Sequence, residues 1–141
     1  MRLKMKLCLS GSMTSIEQME QLSDLLNSLG HETSVPSRGT EPHMAERLAQ
    51  AQTHEKKAIF VEDHLEKIRE SDGVVIANFD KNGVPGYVGP SALMEAAMAY
   101  ALGKQLFVLN DPSDGAVDSN LSSLGAIKLS GDYRLVGSVV R

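Results

Sequence analysis

Apolar positions along this chain switch between short unbroken runs and a helical repeat, which predicts strands and helices in turn. Leu3 to Ser10 reads as a first strand, stopped by Gly11-Ser12. Thr14 followed by Glu17 predicts a capping box, and Ile16, Met19, Leu22, Leu25, Leu26 and Leu29 then recur at helical spacing until Gly30. His31 to Pro36 predicts a second strand, Ser37 to Pro42 a loop, and Met44 to Thr53 a short helix. Another helix spans Lys56 to Ser71, with Ile59, Phe60, His64, Leu65 and Ile68 on one side. Gly73 to Phe79 is almost continuously apolar, as in a strand covered on both faces. The loop Asp80 to Gly89 leads into a helix over Pro90 to Leu102 and a strand over Gln105 to Leu109. Asp111 to Ser119 is polar and turn-rich, and the remainder has room for a short helix and a last strand around Ala126 to Leu129.

Such alternation predicts an α/β, flavodoxin-like or Rossmann-like three-layer fold, with a five-stranded, mostly parallel sheet and residues 1–141 as a single domain. In these folds ligands sit beyond the carboxyl ends of the strands. Three segments end there: Ser10 to Met13, Asn78 to Gly89, and Asn110 to Pro112. The first precedes a helix start, whose backbone N–H groups suit an anion, but it lacks a full GxGxxG or GxxxxGK[ST] pattern.

Composition narrows the function classes. A formal net charge of −4 without any basic run argues against a nucleic-acid partner. The one cysteine, Cys8, excludes an internal disulfide and fits a reducing compartment. The basic start MRLKMKLCLSG has too short an apolar core for a signal peptide, and no run approaches the ~20 apolar residues of a membrane span. The expectation is a cytoplasmic protein with no membrane partner. His31, His43 and His54 have no metal-ligand spacing with Cys8 or one another, so neither metal nor organic cofactor is expected.

The most informative stretch is Asn78 to Asn110. Pro90 suits the first helical position and Gly103 a helix stop; between them nearly every residue is small or apolar, with one acid, Glu95. Helical spacing places Glu95 with Ala92, Met98, Ala99 and Leu102. Glu95 has two readings: a helix-dipole partner near the amino end, or a nucleophile or base facing a ligand. His64 is either a histidine packed on the sheet or a proton donor to a leaving group.

The segments CLSGSM, SLGHETSVPS, HLEKIRESDGVVIANFDKNG and GYVGPSALMEAAMAYALGKQLFVLND resemble the nucleoside 2-deoxyribosyltransferase-like superfamily, over roughly residues 5 to 111. That group includes N-deoxyribosyltransferases and nucleotide N-glycoside hydrolases. The resemblance implies that Glu95 attacks the anomeric carbon of a nucleoside or nucleotide, leaving a glycosyl–enzyme ester for water or a second base. For such an enzyme Asp80 or His64 is the expected acid–base partner, and Ser10, Gly11, Ser12, Asn78, Tyr87, Gly89 and Asn110, at or near the carboxyl strand ends, are the expected substrate contacts; the family motif itself does not supply Asp80 or Tyr87. The resemblance also implies a homodimer or higher homo-oligomer, in which a neighbour completes the pocket and the helix from Ala92 to Leu102 offers a contact face. Three positions depart from the family pattern. Cys8 stands where transferases carry a tyrosine, His64 (with Asp63 beside it) where they carry an acid, and GYVGPSALM lacks their aspartate. These departures suit an alternative, a nucleotide-binding module without turnover. A flavodoxin-type electron carrier fits less well, because the first loop lacks a Ser/Thr-rich phosphate cradle.

Overall fold

The computed structural model describes residues 3–138. In chain order the elements are β1 (Lys6–Ser10), α1 (Ile16–Ser28), β2 (Glu32–Ser34), α2 (Pro42–Gln50), α3 (Lys56–Arg69), β3 (Gly73–Ile76), α4 (Pro90–Ala101), β4 (Gln105–Val108), α5 (Gly115–Ser123) and β5 (Ile127–Lys128). The strands lie in the order β2-β1-β3-β4-β5 and every neighbouring pair is parallel. The sheet is thus wholly parallel, where the sequence implied mostly parallel, and the fold is flavodoxin-like.

Alternation along the strands sorts their side chains into two cores. Leu7, Leu9, Val75, Phe107 and Leu109 join Ile16, Met19, Leu22 and Leu26 of α1 on one face. Cys8, Val74, Ile76, Leu106 and Val108 join Ile68 of α3, Ala92, Ala96 and Ala99 of α4, and Leu121 of α5 on the other. Both faces are covered, which is why the strands read as continuous apolar runs. The strand order reverses direction between β1 and β3, so their carboxyl ends flank the crevice where such folds take ligands.

Several boundaries differ from the sequence reading for local reasons. Thr14 does not cap α1. Instead Ser12 Oγ accepts from Thr14 N at 3.4 Å and opens a 3₁₀ turn over Met13–Ser15, from which α1 continues without a side-chain cap. α2 begins two residues early because Pro42 fits a first helical position, and it ends at Gln50. The polar stretch after β4 contains a helix start: Asp114 Oδ1 accepts from Ala116 N at 2.9 Å and Val117 N at 3.3 Å, capping α5. On α4 the buried stripe is Ala92, Ala96 and Ala99, whereas Leu102 is exposed. Among the described residues no helix is long and apolar enough to cross a membrane.

Candidate active site

Since Leu7 and Leu9 face α1, the alternation turns Cys8 and Ser10 toward α3 and α4. There they meet His64 from α3 and Glu95 from α4. Ser10 Oγ lies 2.9 Å from His64 Nε2, Cys8 Sγ 3.5 Å from the same atom, and Glu95 Oε2 3.6 Å from it. The cluster is largely shut off from water: the His64 side chain is 5% exposed and that of Glu95 18%. Glu95 lies beyond the first turn of α4, which holds no acid, so it is no partner for the helix dipole.

Burial sets the protonation states. It pushes the Glu95 carboxyl up from 4.5 to about 7, with the Ser10 hydroxyl pulling partly back. It pushes His64 down to about 4, Lys67 adding to the effect and Asp63 opposing it. The Cys8 thiol is pushed up to about 12, chiefly by burial. His64 is therefore neutral near pH 7, and its approach to Glu95 is a polar contact, not an ion pair. Asp63 turns away toward Lys67 Nζ at 3.1 Å and His43 Nε2 at 3.4 Å. Burial would raise its carboxyl, but these two partners hold it below the usual range.

Glu95 and His64 line a cleft of about 480 Å³, walled by Met13, Pro36, Phe60 and Val61, with Arg38, Lys56 and Lys57 also lining it. A smaller cleft of about 230 Å³ shares Gly11, Met13 and Ser91 with it and adds Ser12, Lys81, Tyr87 and Gly89 beside the start of α4. Lys81 Nζ donates to Ser12 Oγ at 3.0 Å and lies 5.3 Å from the Tyr87 ring centre. Gly11 is required where β1 gives way to this crevice: a Cβ there would come within 2.9 Å of the Ala77 carbonyl oxygen and 3.1 Å of Met19 Sδ.

No protein-family model matches the chain, and no curated protein does either. A solved 2-deoxyribosyltransferase from the psychrotolerant bacterium Bacillus psychrosaccharolyticus is similar at a TM-score of 0.48 and 20% identity, over 82% of this chain and 80% of that one. A likeness of that size says nothing about chemistry, which has to come from the side chains.

Of the residues singled out in the sequence, Ser10, Gly11, Ser12, His64, Tyr87, Gly89 and Glu95 come together around the two adjoining clefts. Asp80, Asn78 and Asn110 do not line either cleft. Asp80 is exposed, and its Oδ1 accepts from Gly86 N at 2.9 Å, holding the loop. Asn78 and Asn110 bind each other across the ends of β3 and β4. Asn78 Nδ2 donates to Asn110 O at 2.6 Å, Asn110 N donates to Asn78 Oδ1 at 2.9 Å, and Asn110 Nδ2 donates to Asn78 O at 3.1 Å.

The sequence reading missed Pro36 to Arg38, Lys56, Lys57, Phe60, Val61, Lys81 and Ser91 as lining residues. A signal existed for the first group, because Pro36 to Arg38 follow β2 and the rule about carboxyl strand ends covers β2 as well. Lys56 and Lys57 carried another: cations in the first turn of a helix oppose its dipole.

Proposed function

We propose that the chain is an enzyme acting at the N-glycosidic bond of a nucleoside or nucleoside 5′-monophosphate, with Glu95 as nucleophile. The observation that carries this reading is a carboxyl group, 18% exposed, lining a large cleft walled in part by Met13, Pro36, Phe60 and Val61. The resemblance of the chain between about residues 5 and 111 supports it, since the family's nucleophile falls on Glu95.

In the ionised form a Glu95 oxygen attacks C1′ of the sugar. The C1′–N bond breaks, its electron pair leaves with the base, and the base nitrogen takes a proton from solvent. A glycosyl ester on Glu95 results. Water, or a second base, then attacks C1′ and gives up a proton to solvent, while the C1′–O bond of the ester breaks and Glu95 leaves as carboxylate. Ser10 favours the ionised nucleophile by donating its hydroxyl hydrogen. His64 supports Ser10: Nε2–H donates to Ser10 Oγ, which leaves Nδ1, unpartnered among the described atoms, as a bare acceptor rather than a stranded N–H. Neutral His64 acts by placing Ser10 and Glu95, not as an imidazolium acid.

The test is base release from ribo- and 2′-deoxyribonucleosides and their 5′-monophosphates, with and without a second free base, and with Glu95→Gln as control. Release by the wild type that the substitution abolishes is the expected result. A new nucleoside formed only with the second base identifies a transferase. The place of Asp80, outside the cleft and tied to Gly86, favours a second reading: a nucleotide-binding module without turnover. Nucleotide binding without release, unchanged by Glu95→Gln, would decide for that module.

The same reading includes self-association. Met94 and Tyr100 are each 59% exposed, and Ala97 and Ala101 are exposed beside them, so α4 turns an apolar face to water. The partner this reading expects on that face is a second copy of the chain.

A further inference from the structure

Among the side chains lining the two clefts, cations outnumber acids. Arg38, Lys56 and Lys57 line the larger cleft and Lys81 the smaller, against Glu95 alone. The chain as a whole has the opposite balance, 14 Lys and Arg against 18 Asp and Glu. Arg38 is already neutralised, its guanidinium gripping both oxygens of Glu20 at 2.6 and 2.9 Å. Lys56 and Lys57 are not. The positions three and four residues away from each, in α3 and in the turn before it, are Gln, Thr, His, Ile, Phe and Val, so no helical ion pair forms. Among the described residues neither lysine has a carboxylate within ion-pair distance. Both also stand in the first turn of α3, at the positive end of its dipole. An exposed lysine pair is ordinary on a helix. Glu55 precedes the pair but accepts from Gln52 N instead, so the two lysines stand unpaired against the dipole on the wall of the cleft that holds Glu95, a placement that suits an anion bound in that cleft.

We infer that Lys56 and Lys57 receive an anionic substituent on the base of the substrate, so that the preferred class is nucleoside 5′-monophosphates whose base carries a carboxylate or similar group on the edge away from the sugar. This deepens the N-glycoside reading and rests on it. With the sugar at Glu95, the apolar walls of Met13, Phe60 and Val61 accept a flat base. The small cleft, with Lys81, Ser12 and the start of α4, accepts the 5′-phosphate. The outer edge of the base then lies toward the two lysines.

The test compares binding of 5-carboxy-2′-deoxyuridine 5′-monophosphate and thymidine 5′-monophosphate, which differ in a carboxylate against a methyl group. Calorimetry on Glu95→Gln keeps both ligands intact. The carboxylated nucleotide should bind ~10-fold tighter, as one charge-assisted contact allows, and Lys56→Gln/Lys57→Gln should cut that preference to within about 2-fold. The double substitution should leave affinity for thymidine 5′-monophosphate unchanged and the melting temperature no lower, because a neutral side chain suits the first helical turn better. Equal affinities before the lysine substitutions, or a preference that survives them, would overturn the inference while leaving the N-glycoside reading intact. Lost discrimination between thymidine 5′-monophosphate and thymidine would overturn it too, by assigning the lysines to the 5′-phosphate. If no nucleotide binds and the wild type releases no base, the N-glycoside reading fails and takes this inference with it.

Discussion

Glu95 and His64 titrate in opposite senses, and that gives the pair a measurable signature. The Glu95 carboxyl is raised in the fold from 4.5 to about 7, so the native state holds a proton there that the unfolded chain has lost, and stability falls as pH rises through that window. His64 is lowered from 6.5 to about 4, so the native state lacks a proton that the unfolded chain binds, and stability rises with pH through that window. In the wild type the two slopes oppose each other. Glu95→Gln removes the first, so its stability relative to wild type should increase between pH 4.5 and 7, by up to about 3 kcal/mol for a shift of this size. Urea denaturation at the two pH values measures it, and a relative stability that stays constant would mean that Glu95 is not desolvated as described. Base release should rise with pH through about 7, as Glu95 ionises. Ser10→Ala removes the hydroxyl that favours the carboxylate, so the rise should move to higher pH. A pH profile unchanged by Ser10→Ala would show that Ser10 does not reach Glu95.

At the scale of elements, the ends of β3 and β4 are held by one reciprocal pair. The Asn78 side chain spans from Asn110 to Gly86 O, at 3.2 Å from the latter, and so ties both strands to the loop that leads into α4. Asn78→Ala would leave the Asn110 N–H and two carbonyls without these partners in a region 2% exposed at Asn78, and should cost about 2–4 kcal/mol. Chemical denaturation reads that loss; a change below about 1 kcal/mol would mean that water replaces the amide at little cost. In sequence, Asn78 and Asn110 look like ligand contacts because they stand at carboxyl strand ends, where such folds take ligands, although polar residues are common there. Their pairing depends on the register of β3 against β4, which hydrophobic periodicity does not encode. The helices and central strands were legible because each carries a long apolar stripe or run. The capping error at Thr14 and the concealed start of α5 at Asp114 have a different origin. Each is decided by which hydroxyl or carboxylate reaches which N–H, a choice that neighbouring Ser, Thr and Asp residues leave open.

On the scale of the whole molecule, the large cleft assembles residues from four places in the chain: the ends of β1 and β2, one side of α3, and α4. Glu95 and His64 could be singled out as an acid and a histidine on otherwise apolar faces. Phe60 and Val61 could not, because a helix-face apolar residue reads as core until tertiary packing leaves it beside a cavity. The same uncertainty surrounds α4. Its composition suits a helix buried all round, yet the sheet covers only the Ala92, Ala96 and Ala99 side and leaves Met94, Tyr100 and Leu102 59%, 59% and 40% exposed. Burying this outward face against its equivalent on a second copy would satisfy the composition and enclose the cleft edge at Ser91 and Glu95. Light scattering at micromolar concentration should therefore give at least twice the chain mass. Met94→Lys/Tyr100→Lys should return it to one chain mass with secondary structure unchanged, because both side chains lie outside the core. If closure by a neighbour is needed to keep water from Glu95, this variant should also lose base release. A wild-type chain that stays monomeric would remove the association and leave the cleft to work in a single copy.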